Sequence, residues 1–171
     1  MAMVKAIFEK LKKHKDPVKF WREKGATIGE KCEIYTSANF GSEPYLIKLG
    51  DHVRINSGVS FITHDGGVWV LRYMKEENHD VDLFGKIVVG DNVHIGTNSI
   101  IMPGVTIGNN CIVGCGAIVT KDIPDNSIAV GVPARVIETV EEYELKHKGD
   151  FEHTKMMSSE EKQSYLTKKF L

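Results

Sequence analysis

From residue 89 onward the chain carries a β-branched aliphatic at every sixth position: Val89, Ile95, Ile101, Ile107, Val113 and Val119. The residue after each is Gly90, Gly96, Met102, Gly108, Gly114 and Thr120. Four positions after the first five stand Val93, Ser99, Val105, Cys111 and Ala117. Six hits on one register would arise by chance on the order of once in ten thousand tries, so the pattern is a repeat. A period of six is neither the 3.6 of a helix nor the alternation of a long strand. It predicts short strands joined by bends, with the aliphatic inward, the small residue filling the remaining core and glycine easing the corner. The same grid runs upstream through Ile28, Ile34 and Phe40, with Cys32, Ala38 and Pro44 in the second slot. In a shifted register it continues through Leu49, Ile55 and Phe61, with Val53 and Val59. A coil over residues 25–137 is expected, each turn buried by its neighbours. Cys32 and Cys111 sit in the small inward slot and are expected as packing residues.

Residues 65–86 (DGGVWVLRYMKEENHDVDLFGK) break the repeat. A loop this long inside a repeat array marks a functional region more often than a connector. It follows His64 and carries Trp69, Arg72, Tyr73 and His79. At the N-terminus Val4, Ile7, Phe8 and Leu11 fall on one helical face, so residues 1–24 are expected as an amphipathic helix capping the open end of the coil. Residues 138–171 are expected as a helical extension. A first helix is read over 136–148, and a second from Ser159 behind the capping-box signature SSEE at 158–161.

Composition narrows the classes. With 171 residues the chain suits one domain with a real core. Between Ile87 and Ile137, 19 of 51 residues are Ile or Val and five are charged, against 11 charged of the first 24 and 14 of the last 34. The body is therefore charge-poor and the ends helix-like. No apolar run reaches 18 residues, which predicts no membrane-spanning helix and no membrane insertion. The first residues lack the apolar core of a secretory leader. Three cysteines without a C-x-x-C pair argue against a disulfide framework and for a cytoplasmic setting. A net charge of −1 gives no global reason to bind nucleic acid. The eight basic and three acidic residues of 1–24 read as a solvated helix face rather than a binding patch.

The stretch IGTNSIIMPGVTIGNNCIVGCGAIVTKDIPDNSIAVGVPARVI resembles the hexapeptide-repeat acetyltransferases, the group of maltose, galactoside and xenobiotic O-acetyltransferases. The phrases ANFGSEPYLI and FITHDGG resemble acetyltransferases of capsular and lipopolysaccharide sugar pathways. The resemblance implies a mainly β fold, a single-stranded left-handed parallel β-helix with N- and C-terminal α-helices. It implies a homotrimer with sites between subunits, acetyl-CoA as donor and a sugar or glycoconjugate acceptor.

Acetyl transfer requires a base for the attacking hydroxyl, and a neutral imidazole suits that task near pH 7. His64 matches the family's catalytic histidine where the loop leaves the coil, and Asp65 is expected to orient its ring. Asn39, Glu43, Tyr45 and Trp69 are expected to line the acceptor cleft, Trp69 either stacking on a sugar face or pinning the loop. By family position Gly96, Thr97, Gly114 and Cys115 line the pantetheine groove. Thr120, Lys121 and Arg135 are expected near the phosphates of the coenzyme. No metal is expected, because His64, His79 and His94 are spaced 15 apart rather than clustered as zinc ligands. An N-acetyltransferase and a catalytically silent β-helix assembly module stand as alternative readings.

Overall fold

The computed structural model describes residues 2–171, and among them the side chains of all but 2, 3, 5 and 6. The chain forms two compact units, one up to Val140 and one from Glu141 to Leu171.

In the first unit the chain visits three parallel sheets in rotation. The first holds β1 (Thr27–Ile28), β3 (Ile47–Leu49), β6 (Ile87–Val89) and β9 (Thr106–Ile107). The second holds β2 (Glu33–Ile34), β4 (Arg54–Ile55), β7 (His94–Ile95), β10 (Ile112–Val113) and β12 (Ser127–Val130). The third holds β5 (Ser60–Phe61), β8 (Ile100–Ile101) and β11 (Ile118–Val119), with Asn39 bridging to Ser60. The register stacks equivalent grid positions: Ile34 on Ile55, Ile55 on Ile95, Ile95 on Val113 and Val113 on Ala129. All six aliphatics of the 89–119 grid are buried, as are Val93, Ser99, Val105, Cys111 and Ala117 in the second slot. Cys32 is half-buried against this core. Ser99, the polar member, is satisfied by donating to the Gly114 carbonyl at 2.9 Å.

The corners are held by a ladder of side chains. Asp51 Oδ1 accepts from the Glu30 amide at 2.7 Å, and Asp91 Oδ1 from the Asp51 amide at 2.8 Å. Asn109 Oδ1 accepts from the Asp91 amide at 2.8 Å, and Asp125 Oδ1 from the Asn109 amide at 2.7 Å. Beside it a second ladder runs from His52 to Asn92, Asn110 and Asn126, each rung 2.8–2.9 Å. These four residues have positive φ, which short polar side chains tolerate better than most. Turns approach closely at Gly50, where a Cβ would lie 2.8 Å from both C and O of Gly90.

The N-terminal segment differs from a single capping helix. It is broken into α1 (Ala2–Lys15) and α2 (Pro17–Glu23). Asp16 caps α2 by accepting from the Lys19 amide at 2.9 Å, and Pro17 opens it. The coil is covered by α2, not by the apolar stripe of α1. Trp21 stacks on Phe40 at 4.6 Å between centroids, and Phe40 packs on Phe61 at 4.8 Å. The interruption at 65–86 contains α3 (Val68–Met74), so it is not an open loop throughout. The expected helix over 136–148 starts later. Its first residues form β13 (Arg135–Thr139), antiparallel to β12, because β-branched Val136, Ile137 and Thr139 extend the exposed edge of the second sheet.

Helix α4 (Val140–His147) starts on the last residue of the first unit and continues into the second, where α5 spans Ser159–Phe170. Ser158 caps α5 and completes the capping box with Glu161, as the sequence signature predicts.

Candidate active site

The third sheet organises the candidate residues. At one edge, immediately after β5, the chain reaches Thr63 and His64 and then leaves the coil. It returns beside them: the Asp65 amide donates to Leu83 O at 2.8 Å and the Gly85 amide to Thr63 O at 2.9 Å. His64 and Phe84 thus form an antiparallel bridge, with the rings edge to face at 6.2 Å. The base of the excursion is clamped by backbone bonds, which fixes the position of His64.

Its orientation comes from an earlier turn. Glu43, just before the 3₁₀ turn Pro44–Leu46, brings its carboxylate to His64, with Oε2 3.0 Å from Nδ1. The same oxygen accepts from the Thr63 hydroxyl at 2.7 Å. Thr63 is buried, and the Glu43 side chain is only 15% exposed against 48% for the His64 ring. The Thr63 hydroxyl, then the His64 ring, hold the Glu43 carboxyl below the usual carboxylate range, so it is ionised at neutral pH. An ionised carboxylate only accepts, so Nδ1 must carry a proton. In the neutral ring this leaves the lone pair on Nε2, the arrangement a general base needs.

Asp65 does not orient the ring. Its Oδ1 accepts from the Gly67 amide at 2.7 Å and shapes the start of the excursion. Glu43 therefore stands behind the ring where Asp65 was expected. Adjacency in sequence favoured Asp65, whereas Glu43 reaches the ring from 21 residues away. Thr63 went unnoticed in the sequence. Its only signal is a polar residue next to the histidine on an apolar rung.

Among the other acceptor candidates, Asn39 lies one turn away on the same sheet and its Oδ1 accepts from the Gly41 amide at 3.1 Å. Tyr45 is exposed on the 3₁₀ turn, and Trp69 is 74% exposed on α3. Trp69 therefore presents an exposed indole face, and no contact among the described residues brings it to His64.

The coenzyme candidates flank the third sheet. Gly96 and Thr97 follow β7, and Gly114 and Cys115 follow β10, one turn apart at the same corner. The Gly116 amide donates to Thr97 O at 2.8 Å. A Cβ on Gly96 would lie 2.6 Å from the Cys115 amide, so the turns stack there without side chains. Thr97 and Cys115 are exposed. Thr120 and Lys121 follow β11 at the other corner of the sheet, the corner where His64 follows β5, and are exposed. Arg135 opens β13, exposed, with Nη1 donating to Ala134 O at 2.8 Å. An open edge of backbone and two exposed cations fits a long ligand ending in phosphates. Among the described residues no group of three His, Cys, Asp or Glu is placed to hold a metal ion.

Comparison with known proteins decides the family. The model of bacterial transferase hexapeptide repeats matches residues 86–121. Protein CapG of Staphylococcus aureus is 47% identical over 98% of this chain and 96% of its own length. The chain belongs to the hexapeptide-repeat transferase family. Galactoside O-acetyltransferase of Escherichia coli K12 is 40% identical over 70% of this chain and 66% of its own length. Among solved structures, a hexapeptide-repeat acetyltransferase of Vibrio cholerae in complex with acetyl-CoA has a TM-score of 0.64 at 25% identity. It covers 80% of this chain and 85% of that one. No helix among the described residues of this hexapeptide-repeat protein is long and apolar enough to cross a membrane.

Proposed function

We propose that this hexapeptide-repeat transferase moves an acetyl group from acetyl-CoA to a hydroxyl of a sugar or glycoconjugate. His64 is the general base, in a homotrimer of left-handed coils with sites between subunits. The observation that carries the reading is the Glu43–His64 pair, clamped where the chain leaves the coil, which engages Nδ1 and leaves the lone pair of the neutral ring on Nε2. The galactoside O-acetyltransferase and the acetyl-CoA complex among the relatives support acyl transfer and the donor.

In this mechanism Nε2 of His64 takes the proton of the acceptor hydroxyl as its oxygen bonds to the thioester carbonyl carbon. Glu43 stabilises the imidazolium that forms. As the carbon–sulfur bond breaks, the imidazolium returns the proton to the departing sulfur, so the base is regenerated. Backbone amides near Gly66 or Thr97 serve the transient oxyanion. Asn39, Tyr45 and Trp69 face the acceptor. Gly96, Thr97, Gly114 and Cys115 hold the pantetheine arm, with Thr120, Lys121 and Arg135 toward the phosphates.

The test is a panel of sugars and amino sugars with acetyl-CoA, read by thiol release, in wild type and His64→Ala. General-base catalysis contributes roughly 10²–10⁴ in rate, so the variant should lose about that factor and still gain thermal stability from CoA. Near-normal turnover in the variant would falsify the assignment. Mild base separates the products, because an ester is cleaved and an amide survives.

A further inference from the structure

Helix α1 lies on the protein the wrong way round for a soluble amphipathic helix. Its polar side faces the body. Lys13 Nζ donates to Ala38 O at 2.7 Å and sits 4.9 Å over the Trp21 ring. Glu9 pairs with Lys24 at 2.7 Å, and Lys12 with Glu23 at 3.5 Å. Its apolar stripe, spaced i, i+3, i+4, i+7, faces outward: Val4 is 71% exposed, Ile7 56%, Phe8 61% and Leu11 62%. Aliphatic and aromatic side chains of this size belong out of water, and four in one row are not scattered surface residues.

Charge identifies what covers them. Helix α1 contains five lysines and one acidic residue. Lys10, Lys15 and His14 are exposed beside the stripe, and Lys19 follows on α2. A protein interface of this kind depletes lysine around its apolar centre. A helix with an apolar stripe flanked by lysines matches an anionic lipid surface, where the stripe enters the acyl boundary and the ammonium groups meet headgroup phosphates.

We infer that α1 binds this protein to the surface of an anionic phospholipid bilayer without crossing it. The stripe supplies burial and the lysines supply the preference for anionic lipid. This departs from the reading of the N-terminal basic residues as merely solvated and from the expectation of no membrane insertion. It is independent of the acetyl-transfer reading, and its test does not use catalysis.

The full-length protein is floated with vesicles of phosphatidylcholine alone, and of phosphatidylcholine with about a third phosphatidylglycerol, at physiological salt. Wild type should rise with the anionic vesicles and stay behind with the neutral ones. Phe8→Ser with Leu11→Ser should lower the partition coefficient tenfold or more, and Lys10→Glu with Lys15→Glu should lower it about fivefold per charge. All four positions are exposed, so melting temperatures should be unchanged and loss of binding cannot be read as unfolding. Wild type that stays in solution with anionic vesicles overturns the inference. So does a Phe8→Ser/Leu11→Ser variant that floats as wild type does. A third overturning result is that this variant changes the oligomeric mass by light scattering while wild type ignores vesicles, which would make the stripe a contact between copies.

Discussion

The exchange of Glu43 for Asp65 behind the histidine is open to a sharp test. In Glu43→Gln the shape is kept and the charge removed. The side-chain oxygen of wild type accepts from Thr63 and from Nδ1 of His64 at 2.7 and 3.0 Å. Glutamine can put its carbonyl oxygen in the same place and accept from both, but that oxygen is neutral, so the charge-assisted bond to the imidazolium is gone. A hydrogen bond to a charged partner contributes about 1.5–3 kcal/mol. Tenfold in rate corresponds to about 1.36 kcal/mol. Losing the bond when the imidazolium forms therefore lowers kcat by roughly 10- to 150-fold. The assay is thiol release at saturating acetyl-CoA, with KM for acetyl-CoA measured in parallel and expected to stay within about twofold, because Glu43 contacts the histidine and not the coenzyme edge. Asp65→Asn is the control, and should change kcat much less. A Glu43→Gln enzyme within twofold of wild type in kcat, or an Asp65→Asn enzyme that falls further, refutes the argument.

Three further outcomes follow from the same structure. Because the Glu43 carboxyl sits below its ordinary range when folded, the unfolded chain binds its proton first as the solution is acidified. Its contribution to stability is thus present above the unfolded value and lost as pH falls through the folded one. The stability gap between wild type and Glu43→Gln should therefore narrow as pH falls below about 5 in chemical denaturation; a gap that shows no narrowing there would contradict this. Burial pushes the thiols of Cys111 and Cys32 up while Cys115 is exposed, so a disulfide reagent should find one fast thiol, removed by Cys115→Ala and slowed by saturating acetyl-CoA, whose own sulfur is blocked. An unchanged rate with acetyl-CoA would put Cys115 outside the groove. Trp21 is buried and stacked, yet its indole N–H has no partner. Trp21→Phe should cost no more than about 1 kcal/mol, because it removes an unpaired donor, whereas Trp21→Ala should cost about 3–5 kcal/mol by urea unfolding. Equal losses would show that the unpaired donor carries no penalty.

What the sequence revealed depended on the distance over which each signal acts. The six-residue grid is local, so the inward residues from Ile28 to Val119 and the exit of the chain at His64 could be read from spacing. Helix α5 was legible for the same reason, since SSEE at 158–161 is a complete local signal. Features set by packing between turns were not legible. Nothing around Glu43 announces a histidine 21 residues on; the contact exists because the turn before Pro44 lies beside the edge where β5 ends. Strand β13 reads as helix in the sequence because its charges suit either state, and the open edge of β12 decides it. The orientation of α1 was also hidden, since periodicity finds an apolar stripe but not the side on which it rests.

The corner ladder has an evolutionary consequence. Its partners Asp51 and Asp91 are 40 residues apart, whereas Asp91 and Asn109 are 18 apart. The difference equals the 22 residues of 65–86, so the excursion is an insert spliced into an otherwise complete turn. Each rung checks only its neighbours above and below, and the scaffold is blind to what leaves at His64 and returns at Phe84. Selection can lengthen, shorten or replace that segment without retuning the frame. On the proposed function, with Trp69 of the excursion facing the acceptor, new acceptors are reached by changing one detachable part while the coil that holds the donor stays fixed.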